Sequence, residues 1–274
     1  MKRKLFCQIS PLTYKISVEK NIALRKLTDI LKKESFSEEK SEEALPLEIC
    51  SYRSLIRRRL GQVDMRLQNN KAVNLSIAAP KVNGILIKPG ETFSFWHLVG
   101  RDSRKNGYLE GLTISDGKVS SGTGGGMCQF TNLIHWLVLH SELTVTEHHH
   151  HDGFDLFPDF GRQIPFGTGT SIMYNYLDYR VHNYTDRVYQ LLIKCDGEYL
   201  CGELRADKSQ PLKYHIKAEN ERFIWEKGTV YRCGKVTRRG VDKRTGEVVF
   251  LETIRENHAK VMYDTADIPY IEVL

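Results

Sequence analysis

The order of local patterns along the chain predicts an α+β fold. It begins with a helical N-terminal region. A buried helix with a cysteine at its N-terminus follows, packed on a mostly antiparallel β-sheet. Three observations carry this reading. Helical periodicity dominates the first seventy residues and returns strongly after Met127. β-branched and aromatic residues dominate beyond about residue 165. The two kinds of pattern are segregated rather than alternating, which argues against a βαβ series. With 274 residues, 41% hydrophobic and 27% charged, the chain has enough apolar material to bury a core. Eight prolines and 21 glycines exclude collagen-like or low-complexity disorder.

The elements follow in order. Ser17 to Lys33 reads as an amphipathic helix, with Ile22, Leu24, Leu27, Ile30 and Leu31 near one stripe. The charge-rich KKESFSEEKSEEALP is the best linker, and a second helix is expected from about Pro46 to Leu60, closed by Gly61. After Lys71 a short helical stretch runs up to Pro80, then comes a strand-like ILI and a turn at Pro89-Gly90. Residues 120–140, SSGTGGGMCQFTNLIHWLVLH, give a glycine loop and then the most apolar helix candidate in the chain. LTVT is strand-like. SIMYNYLDYRVHN, RVYQLLIKC and YLCGELRA are expected strands, the last two joined by a tight turn at Asp196-Gly197. A two-residue turn there sets Cys195 opposite Glu198 and Cys201 opposite Leu192, so the two thiols do not pair. The tail from about Lys213 reads as strands with turns near Lys227-Gly228 and Arg244-Thr245-Gly246. The expected organisation is a helical region over 1–69 and a main domain over 70–274, its core about 80–206 and a β-rich extension over 207–274.

Forty basic against 34 acidic side chains give a net charge of +6, below what a dedicated nucleic-acid binder carries, so no nucleic-acid partner is expected. The basic clusters at Arg57–Arg59 and across 231–246 are read as solvated faces. No run of about 18 apolar residues predicts a transmembrane helix. The basic start lacks the apolar stretch of a secretory signal, since Gln8, Ser10 and Lys15 interrupt it, so a cytoplasmic location and reduced thiols are expected.

Chemistry concentrates at Gly124, Gly125, Gly126 and Cys128. Three glycines interrupt regular structure and let backbone approach a ligand. The cysteine then falls in the first turn of a helix, where unpaired N–H groups and the helix dipole favour a thiolate or an oxyanion. A lowered thiol pKa is the corresponding expectation. The residues alone leave three readings open: a nucleophile, a small buried hydrophobe, or a phosphate loop, the last without the lysine of a Walker-type motif. His135 lies seven residues on, about 10 Å along the axis, too far to serve as base. The run EHHHHDGFDLFPD supplies other imidazoles. In an extended segment His149 and His151 share one face and His148 and His150 the other, with Glu147, Asp152, Asp155 and Asp159 near enough to orient them. A metal held by His149, His151 and a carboxylate or Cys128 ranks below the thiol reading, because no second ligand pair stands at a diagnostic spacing. No metal and no cofactor are expected.

PGETFSFW, GGGMCQ, the histidine run after Glu147 and Asp178 in LDYRVHN occur together in one order, and in this the sequence resembles the VanW family of glycopeptide-resistance clusters, from about residue 70 to about 264. Surface proteins with VanW domains have been assigned L,D-transpeptidase activity through the motif cysteine. The resemblance therefore implies that Cys128 attacks a carbonyl at an L,D junction of a peptidoglycan stem peptide or its precursor. His151, or alternatively His149, is then the base and Asp178 its orienting partner. Gly124, Gly125, Gly126 and Gln129 are the candidate substrate-binding residues. The alternative is a non-catalytic accessory or precursor-binding protein. The extended segment 143–151 is long enough to bring His151 back to the glycine loop, which predicts an imidazole within reach of Cys128. Where family members often carry an arginine after the glutamate, this chain has His148.

Overall fold

The computed structural model describes residues 5–58, 64–115, 118–150, 153–159, 164–266 and 268–273. The architecture is α+β. Helix α1 covers Pro11–Leu31, strand β1 Leu47–Leu55, helix α2 Met65–Val82, strands β2 Ile85–Ile87 and β3 Thr92–Ser94, and the short helix α3 Phe95–Val99. The hairpin β4 Glu110–Ser115 and β5 Lys118–Thr123 leads into helix α4, Met127–Val138. Strands β6 Thr144–Glu147, β7 Phe154–Asp155, β8 Arg180–His182, β9 Tyr189–Cys195 and β10 Tyr199–Ala206 follow. The long strands β11 Leu212–Glu226, β12 Thr229–Asp242 and β13 Val248–Val261 then precede β14, Glu272–Val273.

Four sheets result. The central one has the order β1-β10-β9-β2 and is antiparallel throughout. Helix α4 packs on β1 and β10 of this sheet. Its buried Phe130, Leu133, Ile134 and Leu137 join Leu75, Ala78, Ala79 and Val82 of α2, with Leu191, Leu200 and Leu204 from the strands, in one core. Gly202 makes the approach possible, because a Cβ there would stand 2.9 Å from Leu137 Cδ1 and 3.0 Å from Leu133 Cδ2. The second sheet, β14-β11-β12-β13-β7, is antiparallel through its three long strands and parallel at both edges. A small β3-β8-β6 sheet and the β4–β5 hairpin complete the fold.

Four sequence expectations are corrected. The helix expected over 46–60 is strand β1, paired residue by residue with β10 from Leu47↔Ala206 to Leu55↔Tyr199, with a bulge after Glu48. A helix there would leave the long edge of β10 without hydrogen-bond partners, and this tertiary demand overrides local propensity. The β9–β10 turn is wider than two residues. Cys195 pairs with Leu200 and Cys201 with Lys194, because the Asp196 carboxylate accepts the N–H groups of Glu198 and Tyr199 and rounds the loop. The thiols are not opposite in either register, and none of the six cysteines is in a disulfide. Of SIMYNYLDYRVHN only Arg180–His182 is strand, and the part before it forms an irregular loop with Asn175 at φ 64°. Helix α2 also passes through Pro80, which sits in its last turn, rather than stopping there.

Candidate functional site

The glycine loop is pressed between helix α2, the β4–β5 hairpin and the segment that carries Asp102. Gly124 has φ +80° and Gly126 +113°, both in the left-handed region that side chains avoid. Space excludes side chains as firmly. A Cβ on Gly124 would lie 2.2 Å from Asp102 Oδ2, on Gly125 2.3 Å from the Gly111 carbonyl carbon, and on Gly126 2.5 Å from Lys71 Cγ. Buried Asn74 pins the loop from α2: its amide donates to Gly125 O at 2.9 Å and Leu109 O at 3.0 Å, and its oxygen accepts from Leu109 N. The glycines are thus a backbone surface wedged between Asp102, Lys71 and the β4–β5 hairpin.

Cys128 follows in the first turn of α4 and is half-buried. Its sulfur receives the Ile172 N–H, and its own N–H favours the thiolate as well, but burial pushes the thiol pKa up and the Asp102 carboxylate adds to this. The lowered pKa expected from the helix position is therefore not found: desolvation and a like charge outweigh two N–H dipoles. Asp102 itself is pushed up to about 6, chiefly by burial. Lys71, only 7% exposed, is pushed down to about 7 by burial and by the Arg58 and Arg57 charges. Neither group was legible in the sequence, where Asp102 stands 26 residues and Lys71 57 residues before the cysteine in unremarkable surroundings.

Residues 169–172 run as an extended strap beside α4. Thr170 donates its N–H at 2.6 Å and its hydroxyl at 2.8 Å to Asn132 Oδ1, Ser171 donates its N–H to His149 O at 2.7 Å, and Ile172 points its N–H at Cys128. Successive N–H groups alternate, so the strap lies between Cys128 on one side and the backbone of His149 on the other. His149 Nε2 bonds Glu147 Oε1 at 2.8 Å. Glu147 is clamped in turn by both terminal nitrogens of Arg25 on α1 and accepts the Asp178 N–H at 2.9 Å.

Asp178 is fully buried, with its carboxylate already committed. It accepts from Ser94 Oγ at 2.5 Å, Trp96 N at 3.0 Å, Tyr179 N at 2.8 Å and Arg180 Nε at 3.0 Å. Those bonds cap α3 and fix the β3–β8 corner, and none comes from an imidazole. The carboxylate that orients His149 is Glu147. Gln129 points at the sheet and donates to Ser54 Oγ and Leu55 O, both at 2.9 Å. His151 lies outside the described residues.

The other imidazoles form a separate group. His148 packs 4.2 Å from His135 and 4.0 Å from His150, ring centre to ring centre, and His135 Nδ1 meets the Tyr179 hydroxyl at 3.0 Å. This is the face-sharing that an extended run predicts, with His149 on the opposite side. Among the described residues no three His, Cys, Asp or Glu side chains are arranged to hold a metal ion.

Comparison with known proteins matches residues 70–205 to a family described as VanW like protein. The chain is 38% identical over 200 residues to the vancomycin B-type resistance protein VanW of Enterococcus faecalis, covering 73% of this chain and 72% of that one. It is 27% identical over 117 residues to the uncharacterized protein YoaR of Bacillus subtilis, 42% of this chain and 36% of that one. No solved structure gives a significant match.

Proposed function

The chain belongs to the VanW family, and from that premise we propose that it serves in glycopeptide resistance as a cysteine-dependent acyl transferase on peptidoglycan stem peptides or their precursors. The observation that carries this reading is Cys128 in the first turn of α4. Its sulfur receives the Ile172 N–H and follows directly on three glycines packed against Asp102, Lys71 and the β4–β5 hairpin. In the reaction the sulfur adds to the carbonyl of an L,D amide. The C–N bond breaks, the leaving amine takes the thiol proton, and a thioester forms on Cys128. An acceptor amine or water then adds to the thioester, releases the acyl group and returns the proton to sulfur. His151, or alternatively His149, is the proposed proton carrier; for His149 the transfer must pass the strap that separates its backbone from Cys128. The N–H groups at the start of α4 stabilise the oxyanion.

A second reading, a non-catalytic protein that binds the precursor, is favoured by the raised Cys128 thiol, which keeps the sulfur protonated at rest. One experiment separates the two. Purified protein is incubated with stem peptides ending in D-alanine and examined by intact mass, and the Cys128→Ala variant is assayed for vancomycin susceptibility in cells. An acyl adduct lost in the variant, with loss of function, supports transfer. No adduct and undiminished function with alanine overturn it in favour of binding.

A further inference from the structure

Helix α1 is amphipathic in the inverted sense. The face that meets the protein is polar: Arg25 clamps Glu147, Asp29 takes two hydrogen bonds from Arg180 at 2.6 and 2.8 Å, and Ile22 is its one buried residue. The apolar stripe points outward. Leu12, Ile16, Leu24, Leu27, Ile30 and Leu31 are each between 49% and 73% exposed. Spacings of three, four and seven residues put them on one side of a helix about 30 Å long. The preceding turn continues the surface with Phe6 and Ile9, 54% and 62% exposed.

The charges around the stripe name its occupant. Glu19 is taken by Arg101 at 2.7 Å and Asp29 by Arg180, so the helix has both its carboxylates engaged. Lys15, Lys20, Lys26, Lys32 and Lys33 are exposed and form no ion pair among the described residues. A second copy of the chain, docked by its own stripe about a twofold axis, would set this lysine collar against itself. An interface of anionic phosphate headgroups meets the same lysines favourably, while their methylene stems extend the apolar surface. Among the described residues no helix is long and apolar enough to cross a membrane.

We propose that the outward face of α1 docks the protein on a bilayer containing anionic phospholipid. The inner face of the same helix grips Glu147 and Arg180, so docking sets the wall of the candidate site at the membrane surface. The proposal is independent of whether Cys128 is catalytic.

The test is co-sedimentation of the full chain with vesicles of phosphatidylcholine alone and of phosphatidylcholine mixed equally with phosphatidylglycerol. Binding to the mixed vesicles, weakened by salt and weak on phosphatidylcholine alone, is expected. Leu27→Glu with Ile30→Glu should cut it by about tenfold or more without lowering the melting temperature, because both positions are exposed. Lys20→Glu with Lys26→Glu should weaken it less. Cys128→Ala should bind as the parent does. Protein that stays in solution with both kinds of vesicle overturns the proposal. So does a lipid-free dimer that the Leu27→Glu, Ile30→Glu variant dissolves, since the stripe then belongs to a second copy.

Discussion

At the scale of residues, Cys128 is governed by competition between helix dipole and desolvation. The first turn of α4 offers N–H groups to the sulfur, but burial and the Asp102 carboxylate dominate. Cys128 should therefore be alkylated by iodoacetamide more slowly at pH 7 than Cys7, with a midpoint above the ordinary value of about 8.5. Asp102→Asn removes the like charge and should shift that midpoint down. Peptide mapping of the labelled protein across pH reads both effects, and a Cys128 that reacts fastest of the six thiols would contradict this account. The histidine assignments show the same dependence on surroundings. Glu147 rather than Asp178 holds His149, because Asp178 spends its oxygens on Ser94, Trp96, Tyr179 and Arg180.

At the scale of elements, the strap of residues 169–172 brings the Ile172 N–H to the thiol. It is extended but joins no sheet, and Asn132 on α4 accepts two of its hydrogen bonds through a single oxygen. Asn132→Ala removes both and leaves a partly buried amide unpaired, a loss of about 1–3 kcal/mol of stability. Urea unfolding should read that loss, and hydrogen exchange should quicken at Thr170 and Ile172 while the central strands β9 and β10 stay protected. Unchanged exchange in the strap would mean that packing rather than Asn132 holds it. The strap was not legible as such. Its residues, Gly169-Thr170-Ser171-Ile172, carry no periodicity, and only the partners on α4 and at His149 give it a course.

At the scale of the whole molecule, buried imidazoles set the pH response. Burial holds His135 well below the ordinary histidine range, with His148, His150 and Arg238 adding repulsion. His148 is lowered to about 4, by burial first and then by His150, and His140 is lowered chiefly by burial. Each takes up a proton more readily in the unfolded chain. Each therefore contributes stability in full above about pH 6.5, and that contribution is lost as pH falls through the folded-state value, about 4 for His148. Asp102 and Asp178 are raised by burial and act in the opposite sense, giving stability at low pH that fades as pH rises, for Asp102 through about 6. His215 is lowered in the same way, and Lys71, at about 7, gives up its proton more readily in the folded chain, so these groups together make the net slope positive. The urea midpoint should fall between pH 7 and pH 5, and His148→Gln should flatten the fall. A midpoint that rises on acidification would reverse this balance.

The sequence by itself determined the α+β class, the buried helix α4 behind three glycines, the strands β9 to β13 and the family, because each rests on local signals: periodicity, turn residues and a motif order. The outward direction of α1's apolar stripe, the strand at 47–55, the surroundings of Asp102 and Lys71, and which of the candidate carboxylates holds His149 were decided only by tertiary structure. An amphipathic pattern states that a helix has two faces without saying which one the protein covers; Arg180 and Glu147, over a hundred residues away, settled that by pairing with Asp29 and Arg25. Likewise LEICSYRSL became a strand because β10 presented an open edge. The pKa values of Cys128, Asp102 and Lys71 come from desolvation, which depends on what surrounds a group in space and has no counterpart in its neighbours along the chain.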